Sequence, residues 1–119
     1  ETVLCSFKKK EIFFLFETSS GSVKESFKGK HKNQVNSCSF SPCEKFIVSS
    51  SDDKKNVVWR SDEAIPLGEL KGHTQAVETS IFSSDGSFII STGWDSTIHY
   101  WKFTAPPSFK KSASSVLKK

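Results

Sequence analysis

The chain repeats itself at a spacing of 42 residues. Shifted by that amount, His31 falls on His73, Val35 on Val77, Phe40 on Phe82 and Ser41 on Ser83. Phe46, Ile47, Ser49, Asp53 and Trp59 fall likewise on Phe88, Ile89, Ser91, Asp95 and Trp101. These are nine identities in the thirty positions from His31 to Arg60. A period of this length belongs to a supersecondary unit that buries its apolar surface against copies of itself. The fold must therefore be built from stacked units.

Each unit reads as β-structure. "QVNSCSF" and "AVETSIF" run into the turn-rich "SPCEK" and "SSDGS", and "FIVSSS" and "FIISTG" are short runs rich in β-branched and aromatic residues. A tight turn at each Asp leads into "NVVW" or "TIHYW", and "IPLGEL" supplies a fourth run before the next His. Four short strands per repeat without a 3.6-residue periodicity predict an antiparallel meander, and an all-β chain.

With "KGH" at residues 71–73 and "SFIISTGWDSTIHYW" at 87–101, the chain resembles the WD-repeat β-propeller family. The resemblance implies an incomplete propeller of about two to three blades, a C-terminal portion of a larger one. Residues 1–28 would form the rear strands of a degenerate blade, with "TVLCSF", "EIFFLFE" and "SVKESFKG" as its runs. Residues 29–71 would form one blade and 72–103 a terminal blade lacking its fourth strand, followed by a basic flexible tail at 104–119. It further implies a hydrogen-bonded chain in each repeat: His31, Ser49, Asp53 and Trp59 in one, His73, Ser91, Asp95 and Trp101 in the other. Asp accepts, imidazole relays, the hydroxyl does both and indole only donates, so these types suit a closed buried network of structural purpose.

Several positions depart from the family pattern. Arg60 and Lys102 stand where an acid would follow each Trp, and "GKH" replaces "GH" in the first full repeat. Asn56 occupies the place that Ile98 fills in the next repeat. Lys10 falls where the degenerate blade would need its Asp, so that blade must rest on burial of Phe13 and Leu15. "WRSD" and "WKFT" also lack the Trp-Asp-x-Arg box by which one subfamily meets a cullin-type ubiquitin ligase adaptor.

Charge is placed unevenly. The formal net charge is +4, yet residues 102–119 carry five lysines and no acid, which leaves the rest of the chain at −1. The lysines Lys110, Lys111, Lys118 and Lys119 are candidates for contact with an anionic partner. No aromatic platform accompanies them, so nucleic acid is the weaker partner class. The longest apolar run, "IFFLF", is too short to span a bilayer, and no membrane partner is expected. Cys5, Cys38 and Cys43 are too few and odd in number for a disulfide framework, and they fit reduced thiols of an intracellular protein, cytoplasmic or nuclear. His31 with Cys38 and Cys43 matches no zinc spacing, so neither metal nor cofactor is expected.

An Asp-His-Ser set duplicated with a Trp, without a nucleophile elbow or oxyanion-hole glycines, reads as architecture, and the chain as no enzyme. Binding is expected at the rim where the family exposes its turns: Trp94 beside Asp95, Asp52 at the matching place, and Asn33 and Gln75 in the loops before the first strands. An exposed Trp is a frequent anchor for partners. The expected function is a non-catalytic protein-interaction scaffold, with self-association or pairing with the rest of a parent propeller through open strand edges. The alternative is an RNA- or ribonucleoprotein-associated subunit using the basic tail.

Overall fold

The computed structural model describes residues 2–9, 11–17, 19–104 and 117–118. They form eleven strands and no helix. The first sheet contains β1 (Thr2–Lys9), β2 (Ile12–Glu17) and β3 (Val23–Phe27) in that order. The second contains β4 (Val35–Phe40), β5 (Phe46–Ser51), β6 (Lys55–Arg60) and β7 (Pro66–Lys71), again in chain order. The third runs from β8 (Val77–Phe82) through β9 (Phe88–Gly93) and β10 (Ile98–Lys102) to a short edge strand, β11 (Leu117–Lys118). Every neighbouring pair is antiparallel. This is a set of meander blades.

The turns explain why the strands break at matching places. Between β4 and β5 the Ser41 hydroxyl accepts the Phe46 amide, and between β8 and β9 Ser83 accepts Phe88, both at 3.1 Å. Each of these turns needs one left-handed residue, supplied by Gly86 at φ 78° and, at the equivalent position, by Glu44 at φ 65°. The next turn has its left-handed residue at Lys54 in one repeat and Ser96 in the other. There Asp53 Oδ1 accepts the Lys55 amide and Asp95 Oδ1 the Thr97 amide, the local turn chemistry for which Asp is chosen. Register shifts fall between Val35 and Ser37 and between Val77 and Thr79, so even the irregularity repeats.

Alternation along the strands builds two cores. Phe13, Leu15 and Phe27 of the first sheet pack against Val35, Ile47, Val57 and Trp59 of the second. Phe13 stacks on Phe27 at 4.6 Å, and both rings meet the Trp59 indole edge-on, at 5.7 and 5.4 Å. On the other face of the second sheet, Phe46, Val48, Val58, Leu67 and Leu70 meet Phe82, Ile89, Trp101 and Phe103. Burial of this kind contributes about 25 cal/mol per Å² of apolar surface removed from water. The second sheet is thus clamped on both faces.

One expectation needs correction. The terminal blade does not lack its fourth strand: Leu117 pairs with Lys102 and Lys118 with Trp101 along the outer edge of β10. An uncovered strand edge presents unpaired amides and carbonyls, and the chain's own later residues answer them. Lys118 accordingly lies in a strand, and the boundary of the flexible tail at 104–119 does not hold for these two residues. Lys10, Lys110, Lys111 and Lys119 lie outside the described residues.

Candidate functional site

The two four-residue sets are each brought together inside a sheet. His31 Nδ1 lies 2.9 Å from Asp53 Oδ2, His31 Nε2 lies 2.7 Å from Ser49 Oγ, and the Trp59 indole donates to Ser49 Oγ at 2.9 Å. His73 Nδ1 lies 3.0 Å from Asp95 Oδ2, His73 Nε2 lies 2.9 Å from Ser91 Oγ, and Trp101 donates to Ser91 at 2.9 Å. A carboxylate only accepts, so each Nδ1 carries the hydrogen. With the hydrogen on Nδ1, Nε2 is placed to accept from the serine hydroxyl, which in turn accepts from indole. Every polar atom along the chain has a use.

Both carboxylates are held charged. Burial pushes Asp53 up, but the His31 ring and the Lys32 amide, at 3.0 Å, outweigh it and keep the group below the ordinary aspartate range. Asp95 is pulled well below that range by the Thr97 hydroxyl, which donates at 2.6 Å; burial opposes this, and the Thr74 amide and His73 add to it. Thr97 was not singled out by the repeat, because Lys55 stands at its place in the earlier unit. Gly93 was also missed. A Cβ there would approach His73 Nδ1 to 2.8 Å and the Ala76 carbonyl to 2.9 Å, so in this blade the loop packs against bare backbone, whereas Ser51 stands at the matching place beside the His31–Asp53 pair.

Ser49 and Ser91 are fully buried and already committed to indole and imidazole. A hydroxyl so placed presents no face to a substrate. His31 and Cys43 flank opposite ends of β4, about 20 Å of strand apart, and share no site. Among the described residues, those closest to a ligand set are His73, Asp95 and His99, whose donor atoms lie within 4.8 Å of one another. Both nitrogens of His73 are already engaged, and His99 stacks on Trp101 with ring centres 5.5 Å apart.

The rim residues gather at the turns above these networks. Trp94 is 67% exposed, and its indole donates to Glu78 Oε1 at 2.6 Å, which fixes the ring while leaving its faces open. The Trp94 amide donates to the Ala76 carbonyl and the Asp52 amide to that of Gln34, so Gln75 and Asn33, both exposed, flank the two turns. Asn36 joins the repeats: its Nδ2 donates to Asp52 Oδ1 and to the Val77 carbonyl, each at 2.8 Å. Asn36 and Glu78 occupy equivalent positions but differ in type, so self-comparison of the sequence passed over both.

A second surface lies on the outer face of the third sheet. Phe46, Val58 and Asn56 of the second sheet are 3%, 0% and 0% exposed, covered by the third. Their equivalents Phe88, Tyr100 and Ile98 are 43%, 52% and 66% exposed, and Ile81 stands open beside them. Ser83, Phe88, Ile90 and Tyr100 line a shallow apolar cavity of about 250 Å³ there. No helix among the described residues is long and apolar enough to cross a membrane.

Meander sheets stacked face to face, two of them riveted by a Trp-Ser-His-Asp chain, define blades of a repeat-built propeller. The chain belongs to the WD domain, G-beta repeat family, whose model matches residues 21–60 and 64–102. It is similar to MST50-interacting protein 11 of Pyricularia oryzae, 38% identical in an alignment of 61 residues that covers 47% of this chain and 19% of that protein. It is also similar to small ribosomal subunit protein RACK1z of Oryza sativa subsp. japonica, 36% identical over 70 residues, 47% of this chain and 21% of that protein. The chain spans about a fifth of the length of either relative.

Proposed function

We propose that the chain is a non-catalytic protein-interaction scaffold and part of a larger propeller. Its rim, centred on Trp94, Asp52, Asn33 and Gln75, meets partner proteins. The outer face of its third sheet receives another blade of the same build, which for the isolated chain is a second copy. The observation that carries this is the 42-residue equivalence between Phe46, Val58 and Asn56, which a neighbouring sheet covers, and the open Phe88, Tyr100 and Ile98. The same sheet face recurs one repeat later without its cover, and a large open apolar face favours association. The name of the Pyricularia relative, an interacting protein, agrees in kind.

Sedimentation equilibrium of the 119-residue chain tests this. Self-association that Ile98→Lys with Tyr100→Lys converts to a folded monomer supports the reading; a stable, well-folded wild-type monomer overturns it. The second reading, a ribonucleoprotein-associated subunit, is favoured by the name of the rice relative, a small ribosomal subunit protein, and by the basic tail. Salt-dependent RNA binding that disappears on removing residues 104–119 would support that role.

A further inference from the structure

The turn of the second sheet carries a charge concentration that the family architecture does not ask for. Asp53, Lys54 and Lys55 of that turn, with Lys32, Lys71 and His73, line a cavity of about 350 Å³. Lys55 and Lys71 reach Glu69 at 3.2 and 3.5 Å, and Lys30 approaches the same carboxylate at 4.0 Å. One carboxylate cannot neutralise three ammonium groups. Among the described residues Lys32 and Lys54 have no ion-pair partner, and both are exposed. The Asp53 carboxylate faces inward to His31 and to the amides of Lys32 and Lys55.

These lysines are not explained by the repeat. His, Ser, Asp and Trp recur at fixed places because the blade needs them, whereas Lys32, Lys54 and Lys55 become Thr74, Ser96 and Thr97 one period later. Lys54 even takes a left-handed backbone, φ 77°, to which its side-chain type brings no advantage. Apart from its last residues the chain is nearly neutral, yet it gathers five lysines against two acids around this one cavity.

We infer that this cavity binds a phosphomonoester carried on a partner protein. Lysines act as compact point charges for phosphate, and a phosphorylated side chain brings about −1.5 to −2 charges with three acceptor oxygens. A phosphodiester backbone brings one charge per unit and is held best where bases can stack on aromatic faces. No aromatic ring other than the His73 imidazole lines the cavity, and that ring is tied to Asp95 and Ser91. The proposal rests on the scaffold reading and names the chemistry its partner would carry.

The test is titration of the full chain with a phosphoserine peptide of neutral flanking sequence, its unphosphorylated twin, and single-stranded oligouridylate. The phosphopeptide is expected to bind at least about tenfold more tightly than the twin, since only it supplies charge-assisted bonds. Lys32→Gln with Lys54→Gln should remove that preference without moving the melting temperature, both side chains being exposed. Raising salt from about 50 to about 200 mM should weaken the phosphopeptide and not the twin, a readout needing no variant. Equal binding of the two peptides, or a double variant that binds like wild type, overturns the proposal. So does oligouridylate binding more tightly and losing its affinity in the double variant. Neither failure touches the sedimentation result, so the two readings fall separately.

Discussion

Trp59 donates its indole N–H to Ser49 at 2.9 Å, across the pair of strands β5 and β6, and both side chains are sealed from solvent. That bond is the inner end of a chain whose outer end, Asp53, pins the loop entering the sheet through the Lys32 amide. Core, turn and loop are therefore one connected unit.

Ser49→Ala should lower stability by about 2–3 kcal/mol, because it strands the Trp59 N–H and His31 Nε2 without a partner in a dry interior. Urea unfolding followed by circular dichroism measures this as a lower midpoint at unchanged slope. Ser84→Ala, at an exposed turn, should stay within about 0.5 kcal/mol.

Asn56→Val should stabilise the protein. Asn56 is fully buried, and neither its Oδ1 nor its Nδ2 has a hydrogen-bond partner among the described residues. Replacing an unsatisfied buried amide by an apolar group of similar size should gain about 1–2 kcal/mol, read as a higher urea midpoint.

Glu44→Gly should also stabilise, by up to about 1 kcal/mol. Its φ of 65° is strained for a residue with a Cβ, and the equivalent turn already uses Gly86. Thermal melting of the single variant checks the direction.

Stability should fall on acidification. A carboxyl whose pKa is lower folded than unfolded stabilises the fold above its unfolded value of about 3.9, and that contribution fades as pH drops toward the folded value. Asp53 and Asp95 are both shifted this way. The urea midpoint should be level from about pH 7 to about pH 5 and decline below about pH 4, and Asp53→Asn should flatten the decline.

The blades were legible in the sequence because their punctuation is local. Ser41 and Ser83, and Asp53 and Asp95, mark turns by bonds to amides two to five residues on, so a repeat of types is a repeat of turns. Burial was not legible in the same way. Asn56 and Ile98 hold equivalent places, yet the polar residue is the buried one, because a sheet covers it and none covers Ile98. The fourth strand of the last blade escaped notice because Leu117 and Lys118 follow a Pro-Pro break and a run of Ser and Lys. Lys32, Lys54 and Lys71 lie far apart along the chain, and only folding gathers their charge around one cavity. Glu78, which holds Trp94, needed the pairing of β8 with β9 to be placed.

The three indole N–H groups test the central claim, that two of the three tryptophans serve the interior and one the surface. Proton–deuterium exchange at each Nε1, followed by NMR on the intact chain, separates them. Trp59 and Trp101 should exchange at least about 100-fold more slowly than Trp94, since their release requires opening a blade. Three indoles exchanging at one rate, or Trp94 as the slowest, would contradict it.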